Sequence, residues 1–130
     1  MKLILVRYGE HQNGHLSEKG KKEMFLVAEK LESLVKNKKC CIICAKIPRA
    51  VESGEIISKK LNLSPVKSFA EFYAADEDNI PINVNKAKEV LDNLGKEFDV
   101  VVAVISREYI EEFGGKSLSR GEFLALDYKV

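Results

Sequence analysis

The chain has 130 residues, of which 45% are hydrophobic and 32% charged, with 21 Lys+Arg set against 20 Asp+Glu. That length and apolar content fit a single domain over residues 1–130 with a real core. The near-neutral balance argues against a general nucleic-acid binder, which carries a net basic face. No apolar run approaches the ~20 residues of a membrane span, and the four apolar residues after Met1-Lys2 are too short for a signal peptide. A cytoplasmic protein with no membrane partner is expected.

Leu3–Val6 is a continuous apolar run, as for a strand buried on both faces of a parallel sheet. Glu10–Leu16 reads as a polar loop with Asn13-Gly14 as its turn. Ser17 is a suitable N-cap, and Met24, Ala28, Leu31 and Val35 recur at helical spacing after it. Lys39–Ala45 reads as the second strand. It carries all three cysteines, Cys40, Cys41 and Cys44. Residues three apart on a strand point to opposite faces, so Cys41 and Cys44 are read as buried structural thiols, with no metal or disulfide expected.

Pro48 opens a second helix with Ala50, Gly54, Ile57 and Leu61 on one face. Val66–Phe69 is a candidate short strand, and Ala70–Pro81 an acidic connection containing Glu71, Asp76, Glu77 and Asp78. Asn83–Leu94 reads as a helix stopped by Gly95. Phe98–Ile105 is the strongest strand signal, followed by a short helix over Arg107–Phe113 and a last strand over Gly121–Val130, in which Phe123, Ala125 and Asp127 alternate against Leu124, Leu126 and Tyr128. Alternating strands and helices predict an α/β fold, a three-layer α/β/α sandwich on a mostly parallel sheet.

Three arginines occupy equivalent places in this pattern. Arg7 ends the first strand; Arg49 and Arg107 each follow a strand and begin a helix. In a parallel sheet those ends share one edge, and ligands of open α/β sheets bind in the crevice beside it. A cation in the first turn of a helix opposes the macrodipole by roughly 0.3–1 kcal/mol. A bound anion reverses that sign, and guanidinium forks match phosphate oxygens. The residues therefore suggest a phosphate-sized anion site on Arg7, Arg49 and Arg107, helped by backbone N–H groups near Pro48. The competing reading pairs each arginine with a nearby acid: Glu10, Glu52 or Glu108.

Four stretches in register resemble the histidine phosphatase, or phosphoglycerate mutase-like, superfamily, and most closely its small phosphohistidine-phosphatase-like branch. They are Arg7-Tyr8-Gly9-Glu10, Leu16-Ser-Glu-Lys-Gly20, Arg49-Ala50 after the second strand, and Ser106-Arg107 after the late apolar strand. The resemblance implies a phosphoglycerate mutase-like fold and implies that Arg7 and Arg49 clamp phosphate. It also implies that Tyr8 and Arg107 stand where the family has its two catalytic histidines. A tyrosine hydroxyl, with a pKa of about 10, is a poor phosphoryl acceptor near neutrality, and an arginine exchanges no proton.

The expected function is therefore a degenerate, non-catalytic phosphate- or anion-binding module. Its partner would be a phosphate-bearing small molecule or a phosphoprotein, with no cofactor. Tyr8 would shape the pocket floor, and Glu10, His11, Asn13 and Glu71 are accessory candidates. Two alternatives stay open. One is a weak phosphatase using Tyr8, His11 or water; the other is a protein-interaction scaffold without ligand.

Overall fold

A five-stranded sheet forms the centre of the protein. The structure is a computed structural model that describes residues 1–75 and 79–130. The acidic residues Asp76, Glu77 and Asp78 of the expected connection lie outside the described residues. The strands are β1 (Lys2–Val6), β4 (Cys40–Ala45), β5 (Lys67–Phe69), β6 (Val100–Val104) and β7 (Phe123–Asp127). β4 and β1 both pair with β6 in parallel, β5 joins β4 in parallel, and β7 runs antiparallel to β1 at the edge. The fold is thus α/β with a mostly parallel sheet, as the sequence pattern predicts.

Side-chain periodicity explains the order. Leu3, Ile4, Leu5 and Val6 are all fully buried, and so are Val101 to Ile105. Strands that are apolar at every position have to be covered on both faces. β7 is half-buried along Phe123–Leu126, which suits an edge. α1 (Glu18–Val35) and α2 (Pro48–Leu61) pack on each other, α3 (Val84–Gly95) packs on β6, and α4 (Arg107–Gly114) on β1. Ser17 caps α1 by accepting from the Gly20 N–H at 3.1 Å, and Asn83 caps α3 through the Lys86 N–H at 3.1 Å.

Three local expectations need correction. The Glu10–Leu16 segment is a miniature hairpin, with β2 (His11–Gln12) paired to β3 (His15–Leu16). Asn13 at φ 53° and Gly14 at φ 82° supply the two left-handed residues of a tight hairpin turn. Gly95 does not stop α3 by adopting a left-handed conformation, since the next residue, Lys96, is still right-handed helical. A side chain at Gly95 would instead collide with Val130. Strand β7 is shorter than Gly121–Val130, and both of its faces are half-buried rather than alternating.

The thiols are free. Burial pushes Cys40 up to about 12, Cys41 to about 11 and Cys44 to about 12, so none is a thiolate near neutrality. No described helix is long and apolar enough to cross a membrane.

Candidate functional site

The three strands β4, β6 and β1 are neighbours, and each ends in the same direction. The chain leaving them places Arg49, Arg107 and Arg7 around one polar cleft of about 310 Å³, completed by Tyr8, His11, Tyr73, Ala74, Ala75 and Glu108. The arginines that were predicted separately along the sequence are thus brought together.

Each arginine is held differently. Arg7 Nη1 donates to the Leu118 carbonyl at 2.7 Å, which ties the end of β1 to the loop before β7. Arg107 lies 3.3 Å from the Glu108 carboxylate and 3.8 Å from that of Glu111, with half of its side chain exposed. Arg49 has no acidic partner among the described residues. Its guanidinium carbon sits 5.1 Å from the centroid of the Tyr8 ring, a cation–π contact, and its Nε is buried without a hydrogen-bond partner. Burial works to lower the Arg49 pKa, but the hydroxyls of Tyr8 and Tyr73 outweigh it and hold the group above the ordinary arginine value. A buried, unpaired N–H on a permanent cation costs about 1–3 kcal/mol, which an anion in the cleft would recover.

Of the three acids considered as partners, only Glu108 reaches its arginine. Glu10 instead accepts from Ser17 Oγ at 3.0 Å and lies 3.6 Å from Lys19 Nζ. Glu52 binds His15 Nδ1 and the Leu16 N–H, each at 2.8 Å, and so pins the hairpin to α2. The accessory candidates also divide. His11 lines the cleft, whereas Glu10 and Asn13 do not, and Glu71 lines a separate groove beside α3 with Tyr73 and Asn83. The start of α2 offers less backbone than expected. The Ala50 and Val51 N–H groups already donate to the Ile47 carbonyl at 3.1 and 3.0 Å.

His11 is edge-on to Tyr8, with ring centroids 5.6 Å apart and planes at 69°. Its Nδ1 is buried without a partner. Burial first, then the positive charges of Arg49, Arg120 and Arg7, push its pKa below the ordinary imidazole value, while the Gly9 backbone acts in the opposite sense. The ring is therefore neutral near pH 7.

Tyr73 and Arg120 escaped the sequence reading. Tyr73 reaches the cleft because its segment is stitched to the end of β6. The Ser106 N–H donates to the Phe72 carbonyl at 3.2 Å, and the Ala74 N–H donates to Ser106 Oγ at 3.1 Å. Arg120 acts on His11 from the loop before β7. Tyr73 follows the short strand β5 across a single 3-10 turn and Arg120 lies in the loop before β7, so neither stands at the start of an α-helix as Arg49 and Arg107 do.

No family profile and no curated relative matches the sequence. Solved structures do match its shape. The protein histidine phosphatase SixA complexed with tungstate superposes with a TM-score of 0.73 at 17% identity, over 88% of this chain and 75% of that one. The mycobacterial glucosyl-3-phosphoglycerate phosphatase in complex with VO3 gives 0.77 at 12% identity, over 97% and 92%. This is the histidine phosphatase fold. A phosphoserine phosphatase variant from Entamoeba histolytica, in complex with phosphoserine, shares it at a TM-score of 0.68 and 15% identity, over 98% and 91%. In this chain the histidine phosphatase fold carries a tyrosine directly after Arg7 and an arginine after Ser106.

Proposed function

We propose that the arginine cleft binds the phosphate group of a small molecule or phosphoprotein in the cytoplasm, as a regulatory module that does not turn over ordinary phosphate esters. The observation that carries this reading is the convergence of Arg7, Arg49 and Arg107 on one polar cleft in which the Arg49 Nε is buried and unpartnered. Similar folds bound to tungstate and VO3, both phosphate-like oxyanions, support it. By motif resemblance, the two positions that would carry catalytic imidazoles are Tyr8 and Arg107. The first is covered by Arg49 and the second is occupied with Glu108.

The test is thermal unfolding with added sulfate. At a hundredfold excess over Kd, a specific anion stabilises the native chain by about 2.7 kcal/mol. Arg49→Ala is expected to abolish the rise, and the native chain is expected to show no steady-state release of phosphate from an aryl phosphate. A native chain indifferent to sulfate overturns the binding reading. Sustained turnover that is lost in Arg7→Ala replaces it with a phosphatase.

A further inference from the structure

We propose that the solvent face of α1 is a self-complementary interface, on which two copies of this chain pair with their α1 helices antiparallel. This surface shares no lining residue with the arginine cleft and does not depend on it.

Phe25 and Leu26 stand side by side on that face, 46% and 55% exposed, while the opposite side of the helix buries Met24, Val27, Ala28 and Leu31 in the core. The pair lies in a shallow depression of about 410 Å³ that Glu18, Lys21, Lys22 and Glu29 complete. Lys60 of α2 lies 5.4 Å from the centroid of the Phe25 ring and covers one side of it. Two adjacent large apolar side chains left in water gain free energy when another apolar surface covers them.

The charges around the pair identify the occupant. At about 100° per residue, Lys22 and Glu29 both fall within about 10° of the line that runs between Phe25 and Leu26. Lys22 precedes the midpoint of the pair by as many residues as Glu29 follows it. A twofold axis through that midpoint therefore sets Lys22 against Glu29 of the partner subunit and Glu29 against the partner's Lys22, with each Phe25 meeting a Leu26 between them. Among the described residues neither Lys22 nor Glu29 has an ion partner in its own chain, whereas Lys21, on the flank, is taken by Glu18 at 3.2 Å. A parallel pair would bring Lys22 onto Lys22 and align the two helix dipoles; the antiparallel pair avoids both. The stripe reads the same from either copy, which is the condition for a chain to bind itself.

The experiment is sedimentation equilibrium of the full chain over a concentration series reaching the millimolar range. The native chain is expected to form a species of twice its 14.6 kDa mass. Lys22→Glu and Glu29→Lys should each weaken the dimer about tenfold, because each turns two attractive contacts into repulsive ones. Both substitutions in one chain should restore association, and mixing the two single variants should give a heterodimer. Leu26→Gln should keep the helical circular dichroism of the native chain and lose the dimer. A native chain that stays monomeric throughout, or a dimer that persists in Leu26→Gln, overturns the proposal. Single charge variants that associate like the native chain, or that recover neither on combination nor on mixing, overturn the antiparallel pairing and the proposal with it.

Discussion

The Arg49 guanidinium lies over the face of the Tyr8 ring, 5.1 Å from its centroid. Tyr8, directly after Arg7, thus serves as a shelf for the Arg49 cation, which the proposed function assigns to an anion. The aromatic face supplies attraction without donating a competing negative charge, so the arginine is oriented yet still able to meet an anion.

Removing the shelf should loosen the cation without removing it. A cation–π contact contributes about 1 kcal/mol at a partly exposed site, which corresponds to roughly a five-fold change in affinity. Tyr8→Ala is expected to weaken sulfate binding by about that factor in calorimetry. Tyr8→Phe should keep the affinity close to native, because the ring face survives. Equal losses in both variants would move the contribution from the ring to the hydroxyl.

Anion binding should take up protons through His11. In the free protein its pKa is depressed by burial and by Arg49, Arg120 and Arg7, with Arg107, Glu108 and Tyr8 also around the cleft. A depressed pKa means that the group's contribution to stability is full above about pH 6.5 and is lost as pH falls through the lowered folded value. A bound dianion offsets the arginines and raises that pKa, so binding and protonation reinforce each other. Sulfate affinity is expected to rise between about pH 7.5 and 5.5 in the native chain and to stay flat in His11→Gln. A native profile as flat as the variant's would disconnect His11 from the anion.

What could be read before the fold was known follows the reach of each interaction. The runs Leu3–Val6 and Val100–Ile105 declare buried parallel strands, and parallel strands force their following residues to one edge. The meeting of Arg7, Arg49 and Arg107 was therefore legible. The insertion of β6 between β1 and β4 was not, because no local pattern encodes strand order. Tyr73 and Arg120 depend on that order and were missed. Side-chain choices were equally hidden. Glu10 is adjacent to the motif in sequence, yet it accepts from Ser17 and lies near Lys19 across the hairpin, away from the cleft. The Asn13-Gly14 hairpin was visible in principle, since that dipeptide suits two consecutive left-handed residues.

Gly9 and Gly20 let the first turn of α1 press directly on the loop that carries the cleft. A Cβ at Gly9 would stand 2.5 Å from the Gly20 carbonyl oxygen, and one at Gly20 would overlap the Glu10 carbonyl. Both obstacles are backbone and cannot rotate away. Gly20→Ala is expected to cost about 1–3 kcal/mol, more than offsetting its gain in helix propensity. That lowers Tm by about 4 °C per kcal/mol in thermal unfolding. A variant as stable as the native chain would mean that the loop shifts freely, and the cleft's geometry would then be softer than the glycine contact implies.

Glu52 links the hairpin bearing His11 to the helix bearing Arg49. Its carboxylate meets the Leu16 N–H and His15 Nδ1, each at 2.8 Å. Burial works to raise its pKa, but those two bonds outweigh it and hold the carboxyl below the usual range. By sign, its contribution is present above the ordinary glutamate pKa of about 4.3 and is lost as pH falls through the lowered folded value. Glu52→Ala leaves the Leu16 N–H without its acceptor and should destabilise the fold by about 1–3 kcal/mol at neutral pH. The more informative readout is local. Amide exchange should accelerate across His11–Leu16 while β1 and β6 stay protected, because the sheet core does not depend on this carboxylate. Sulfate affinity should fall with it only as far as the hairpin contributes to the cleft. Exchange that speeds up equally in hairpin and sheet would make Glu52 a global support and not a strut for the site.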